Sequence, residues 1–477
     1  MNNVLDPNET FRFVSDKWDT SIIPALKEYI RIPNKSPAFD PEWEAHGYMD
    51  EAVELLTQWL DANPTTGLSY EVCRLSGRTP TLFAEVEASP GYEDRPPVFL
   101  YGHYDKQPEF DGWEEGLGPW IPVERDGKLY GRGGADDGYA MFGSVAALQA
   151  LQAQGIPHPR CVLFIEGCEE SGSFDLPFYV EHLKDRIGHP SVVVCLDAGC
   201  ANYDQLWVTT SLRGMVIGTL TVKVISEGQH SGLAGGIVPS TFRILRSLME
   251  RIENSDTGKM LPSLYVDIPQ SAIDAAHQVA QIVGTEVYSE FPWLGGVSPT
   301  SDSVADLVLA NCWEPSLATV GLSGAPNVEN AGNTLRPETS AKLAIRLPPT
   351  LDAETAGQTI KSILETDPPY GAHVEFDCEQ PMSGWCAPEE DPWLAAALSD
   401  TSQSYFGKPV GHMGLGGGIP FMKMLGDAYP GTQFVVTGVL GPASNAHGPN
   451  EFLHIETGKR VTASMAEVIA RAALLDQ

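Results

Sequence analysis

The sequence predicts an α/β protein: a mostly parallel sheet with helices on both faces, into which a smaller βαββαβ domain is inserted. Three observations predict it. Apolar strand-like runs alternate with helical stretches, the pattern of a parallel sheet covered on both sides. Around Leu212–Gly214 the pattern changes to strand, helix, two strands, helix, strand. At 477 residues the chain also exceeds what one hydrophobic core usually holds, so two domains are expected.

The elements follow in order. KWDTSIIPALKEYIRI and HGYMDEAVELLTQWLDA place apolar residues three and four apart and read as helices. TLFAEVEA, PPVFLYG, RCVLFIEG and PSVVVCLD read as strands, and the alanine-rich helix DDGYAMFGSVAALQALQAQG stops at a glycine. VIGTLTVKV, STFRILRSLMERI, SLATVGLSG, SAKLAIRLP, AETAGQTIKSILE and AHVEFDCE then give the split βαββαβ order of a two-layer, ferredoxin-like domain. QPMSGWCAPEEDP hands the chain back to a helix (DPWLAAALSDTSQSYF), a strand (TQFVVTGVL) and a closing helix (ETGKRVTASMAEVIARAALL). Residues 1–212 with 388–477 are therefore expected to form the larger domain, and 213–387 the inserted one.

Composition narrows the function. A hydrophobic content of 42% is ordinary for a globular enzyme, but a formal net charge of −33 is not. A field of that sign repels phosphate backbones and anionic bilayers, so neither nucleic acid nor a membrane is an expected partner. The N-terminus lacks a basic start followed by an apolar run, and no stretch approaches the roughly 18 apolar residues of a membrane span. Eight cysteines form no CxxC pair, which fits a reducing cytoplasm.

The chemistry is carried by five segments in one order: YGHYDKQP, GRGGADDG, EGCEE, CLDAG and NAHGPNE. In an open α/β sheet, ligands gather beyond the carboxyl ends of the strands. The strand pattern delivers His103 and Asp105, Glu169 and Glu170, and Asp197 to that edge, and runs on toward His447. GRGGADDG lies between a strand end and a helix start, so Asp136 and Asp137 can face the same crevice. Residues two apart in an extended segment share a face, so Asp105 can accept a hydrogen bond from His103 and orient it for a metal. Of the adjacent Glu169 and Glu170, one can bind metal while the other takes a proton. Two metals about 3.5–4 Å apart need a bridging carboxylate, and mixed histidine and carboxylate donors suit Zn²⁺, with Mn²⁺ or Co²⁺ as substitutes.

These segments resemble the di-zinc metallopeptidase family that includes carnosine dipeptidases, carboxypeptidase G, aminoacylase-1 and succinyl-diaminopimelate desuccinylase. The carnosine-dipeptidase branch matches best, through its length and long inserted domain. The resemblance implies that His103, Asp136 and Glu170 hold one metal, and Asp136, Asp197 and His447 the other. It implies Glu169 as general base on a metal-bridging water, with Asp105 behind His103. It also implies a homodimer, in which His230 of GQHSGLAGG reaches the neighbouring active site and stabilises the oxyanion. NTLRPETSAKLAIRLPP resembles the stretch with a carboxylate-binding arginine, here Arg346, and with Asn333 near the reacting carbonyl. GLGGGIP, with Gly416, Gly417 and Gly418, resembles a loop whose N–H groups meet the substrate carboxylate.

Three departures from that pattern are expected to alter the pocket: Gly138 where a lysine is usual, Lys106 where an apolar residue is usual, and Gly418 where a serine is usual, with Gly414 and Leu415 before it. Cys168, His46, His158, His182, His189, His277 and His373 read as structural, while His412 and His454 flank the site loops. The function implied is hydrolysis of dipeptides or small peptides with a free carboxylate. An N-acyl-amino-acid deacylase uses the same machinery, and a non-catalytic binding protein of the same fold is the remote alternative.

Overall fold

The computed structural model describes residues 5–289, 291–379 and 381–475; the extreme ends of the expected larger domain, residues 1–4 and 476–477, and Gln380 at the head of the segment that hands the chain back, lie outside them. Its largest sheet has six strands in the order Leu68–Cys73, Thr81–Val86, Cys161–Glu166, Val98–His103, Val192–Cys195, Gln433–Val436. The first two pairings are antiparallel and the other three parallel, with Val98 opposite both Cys161 and Val192. Every residue of Val98–His103, Cys161–Glu166 and Val192–Cys195 is buried, which explains their unbroken apolar runs: helices cover both faces.

Alternation along the strands sorts their side chains into two cores. Leu100, Leu163, Ile165 and Val194 join one, with the helices Ile23–Arg31, Tyr48–Ala62, Tyr139–Gln154 and Ile455–Ala472. Phe99, Tyr101, Phe164 and Val193 join the other, with Leu176–Ile187 and Pro420–Ala428. The helix Tyr139–Gln154 is buried continuously from Tyr139 to Leu151, so small alanines are what its surroundings admit, and it ends at Gly155 with φ +65°.

The inserted sheet is antiparallel, in the order Ser316–Ser323, Glu338–Leu347, Gly214–Lys223, His373–Cys378. Thr241–Met249 and Ala353–Glu365 pack on one face of it, around Val216, Leu220, Leu343 and Ile345. That is the βαββαβ arrangement the sequence predicts. Two longer helices of the inserted segment were not expected, Gln270–Val283 and Val304–Cys312. They pack on Trp207 and Cys200, beside a three-stranded sheet of Trp385–Cys386, Trp207–Leu212 and Gly411–Leu415. Their sequences are apolar but their partners lie far off in the chain, so local periodicity does not reveal the packing.

Candidate metal centre

Parallel pairing aligns the carboxyl ends of three strands, and the site grows from those ends. His103 is the last residue of its strand, Asp197 follows Val192–Cys195, and Glu169 and Glu170 open the short turn Glu169–Ser171 after Cys161–Glu166. Asp136 arrives in the turn Gly134–Gly138, ahead of the buried helix. His447 comes from a loop in which Ala443, Asn445, His447 and Asn450 all have positive φ, a conformation costly for non-glycine residues and concentrated at functional sites.

Donor atoms fall into two groups that could each hold a cation: His103, Asp136 and Asp197, and Asp136, Glu170 and His447, each set within 4.8 Å. Asp136 belongs to both and divides its oxygens, Oδ1 lying 3.1 Å from His103 Nε2 and Oδ2 3.0 Å from His447 Nε2. Asp197 Oδ2 is 3.7 Å from His103 Nε2, and Glu170 Oε2 is 3.4 Å from His447 Nε2. The pairing implied by resemblance is thus exchanged: Asp197, not Glu170, stands with His103. Glu170 points instead toward the 447 loop, where Gln107 also donates to its Oε2. Asp137 is buried and belongs to neither group.

Asp105 does more than orient a histidine. Its Oδ1 accepts from Glu169 N at 3.1 Å and its Oδ2 from Glu170 N at 3.0 Å. Nδ1 of His103 lies 3.4 Å from Asp105 Oδ1 and 3.2 Å from the Asp105 carbonyl oxygen. One buried carboxylate therefore ties the glutamate turn to the histidine strand.

The electrostatics fit divalent cations. Burial, then the neighbouring charge of Asp197, pushes the Glu169 carboxyl well above the usual range; burial, then Asp136, does the same to Glu170 and raises Asp197. Burial works against charge on Asp136 as well, but hydrogen bonds from His103 and His447 outweigh it and hold Asp136 low. His103 is raised despite burial, because Asp105, Asp136 and Asp197 surround it. Four crowded carboxylates exceed what two imidazoles neutralise, and Glu170 Oε1 is buried without a hydrogen-bond partner. Such a donor set suits two ions of mixed nitrogen and oxygen preference.

Supporting residues that sequence reasoning missed stand inside its own motifs. Arg132 of GRGGADDG and Glu451 of NAHGPNE form a buried ion pair. Arg132 Nη2 donates to Gly448 O at 3.0 Å, and Gly133 N donates to Glu451 Oε1 at 2.8 Å. The pair clamps the Asp136 turn to the His447 loop. Losing one partner of such a pair costs about 3–5 kcal/mol. Two charged residues of opposite sign, in segments already rich in candidate ligands, were the available signal.

Two departures do not alter the pocket as expected. Lys106 is fully buried and turned away, its Nζ donating to Tyr29 O at 2.7 Å and Ile32 O at 2.8 Å. It caps the carbonyl end of Ile23–Arg31, where a cation is favoured. Gly138 lies beneath Tyr29, since a Cβ there would sit 2.3 Å from Tyr29 Cε1. A lysine does not fit at 138, and the Lys106 ammonium lies 3.8 Å from the same ring. Gly418 leans on Arg213, whose carbonyl oxygen would be 2.8 Å from an added Cβ.

The remaining candidates lie in other places. His230 and Asn333 come together: Gln229–His230 pairs with Thr334–Leu335, and Ser231 N donates to Asn333 O at 2.9 Å. His230 is exposed, and among the described residues no hydrogen bond joins it to the carboxylates. Arg346 faces Ser316 across two strands. Gly416 and Gly417 pass beside Arg213, which donates through Nε to Gly416 O and through its backbone N to Gly417 O, both at 3.1 Å. His412 sits 2.8 Å from Glu390, His454 accepts from Thr457 N and stacks on Tyr203, and Cys168 is a buried thiol that burial pushes up.

Similarity to known proteins runs along most of the chain. The model of peptidase family M20/M25/M40 matches residues 99–471. The chain is 26% identical over 386 residues to a cysteinylglycine-S-conjugate dipeptidase of Corynebacterium striatum, covering 79% of this chain and 81% of that protein. It is 27% identical over 297 residues to a Beta-Ala-His dipeptidase of Mus musculus, a match spanning 60% of this chain and 58% of the relative. In fold it resembles the dipeptidase Dug1p of Saccharomyces cerevisiae (TM-score 0.75, 20% identity, all of both chains). Human carnosine dipeptidase 1 is similar (TM-score 0.75, 22% identity, 98% of this chain and 100% of that one).

Proposed function

Because this chain belongs to peptidase family M20/M25/M40, we propose that it is a metal-dependent dipeptidase, hydrolysing the amide bond of dipeptides or small peptides with a free carboxylate. The observation that carries this reading is the sharing of Asp136 between two donor groups, with Glu169 beside them but in neither. His103, Asp136 and Asp197 would hold one ion, and Asp136, Glu170 and His447 the other, with Zn²⁺ favoured over Mn²⁺ or Co²⁺ by the mixed donors. When bound, the ions would supply Lewis acidity to the scissile carbonyl and the attacking water.

The chain's own residues do the rest. Glu169, its backbone held by Asp105, takes the proton from water and passes it to the leaving amine. Arg346 binds the substrate carboxylate through its planar fork, beside Gly416, Gly417 and Gly418. Asn333 lies next to His230, and we place both over the reacting carbonyl of a neighbouring subunit. The division of the chain at 212/213 and 387/388 is our reading, supported by the separate cores of the two sheets. Eight unpaired cysteines support a reducing, cytoplasmic setting, and no helix among the described residues is long and apolar enough to cross a membrane.

A substrate panel tests the activity. Metal-loaded protein should hydrolyse Xaa-Xaa dipeptides with a kcat/KM at least about tenfold above that for N-acetyl amino acids. The reverse ranking would make it a deacylase, and no hydrolysis of either would leave a binding protein.

The shared site has its own test. His230→Ala should lower turnover without changing metal content, since the imidazole serves the transition state and not the ions. Mixing inactive Glu169→Gln subunits with inactive His230→Ala subunits should restore part of the activity, because one site of each hybrid keeps both groups. Subunit exchange without recovery would contradict a shared site.

A further inference from the structure

Next to the segments that carry Asp197 and His447 lies a cavity of about 610 Å³, within the size range of ligand pockets. Its rim includes Cys200, in the segment leaving Asp197, and Pro442, in the segment leading to His447. Its wall is apolar, built from Val279, Val283, Val287, Leu307 and Val308. These come from the two unexpected helices and the chain between them, and Phe291 and Trp293 add aromatic surface. Phe291 is 62% exposed and Trp293 41% exposed, so this wall is open to a ligand.

The other side of the cavity is cationic. Arg213 lines it, only 8% exposed, and spends its hydrogen bonds on carbonyl oxygens of Gly416, Ala310 and Glu314 and on Ser316 Oγ. Arg346 is close enough for its charge, added to burial, to pull Arg213 down to about 10. Among the described residues no carboxylate pairs with either guanidinium, in a chain with 63 acidic and 30 basic residues. Two like charges, Arg213 buried and Arg346 partly buried, without a counter-ion among the described residues call for an anion that arrives with the ligand. Glu286 is the one carboxylate among the described residues lining the cavity.

We propose that this cavity receives the side chain of the substrate residue that bears the free carboxylate, with Arg213 joining Arg346 in setting the anionic end, and that it selects bulky apolar or aromatic residues there. The assignment rests on the dipeptidase reading. It deepens it by naming the substrate class and the wall that selects it. The carboxylate sits between the arginines and the glycine-rich loop, which places the adjoining side chain against Val283 and Val308. An acidic side chain is disfavoured by Glu286 and by the apolar wall.

Four dipeptides and metal-loaded protein decide the matter. Gly-Leu and Gly-Phe should exceed Gly-Gly in kcat/KM by at least about tenfold, the scale of filling an apolar pocket. Leu-Gly should gain much less over Gly-Gly, because its side chain lies on the other side of the scissile bond. Val283→Trp fills the cavity and should bring the Gly-Leu to Gly-Gly ratio to within about threefold of one; Val287→Trp, nearby on the same wall, should do likewise if the first variant folds poorly by thermal melt. A flat profile, an equal gain for Leu-Gly, or an unchanged ratio in a folded variant overturns this assignment while leaving the dipeptidase reading intact. Absence of hydrolysis across all four overturns the dipeptidase reading itself, and this one with it.

Discussion

Glu169→Gln should lower turnover by at least about 10²-fold, the usual scale for loss of a general base, while the protein still binds about two metal ions per subunit. Glutamine keeps the size and the backbone contact of Glu169 N with Asp105 Oδ1, so the turn that presents Glu170 is preserved. It cannot accept the proton. Glu169 belongs to neither donor group, which is why metal content and activity should separate in this variant. Steady-state kinetics with metal analysis on the same preparation measures both. Near-normal turnover would sink the assignment, and loss of metal would make Glu169 a ligand.

Asp136→Ala should be the more damaging change for metal. Each of its oxygens serves a different group, 3.1 Å from His103 and 3.0 Å from His447. Removing it leaves His103 with Asp197, and His447 with Glu170, two donors apiece where three or more are needed. Both ions should be lost on dialysis, taking the stoichiometry from about two to near zero. His447→Ala should empty one site, leaving about one ion. An Asp136→Ala protein that retains both ions would show that the carboxylate does not bridge.

The contrast between these variants depends on which residues stand together, and that is where sequence and structure divide. The segments that carry the candidate ligands and base were legible. His103, Glu169, Glu170 and Asp197 follow apolar runs that only buried strands explain, and those strands pair in parallel with their ends aligned. The histidine and carboxylate identities announced metal. Their partnership was not legible, because Glu170 and Asp197 are both one strand away from His103, on opposite sides. Which of them turns toward His103 is settled by the loops. Asp105 grips the glutamate turn through its backbone N–H groups, and the His447 loop draws the Glu170 carboxylate toward itself.

The departures from the family pattern show the same limit. A lysine at 106 reads as a new charge near the first ligand until Tyr29 and Ile32 offer it two carbonyl oxygens from the end of a helix. Gly138 reads as a missing lysine until the Tyr29 ring is found in that space.

Alone, the sequence determined the α/β class, the inserted βαββαβ unit and the segments that carry the candidate ligands, because periodicity and residue chemistry are local properties of a chain; the choice of ligands within those segments, and Glu169 as base, came from resemblance to a family. Only the tertiary structure decided how the ligands group around Asp136, how Arg132 and Glu451 lock two ligand loops together, and how helices 270–283 and 304–312 wall a cavity beside Arg213. Those arrangements depend on contacts between residues far apart in the chain, and packing, not local pattern, selects among them.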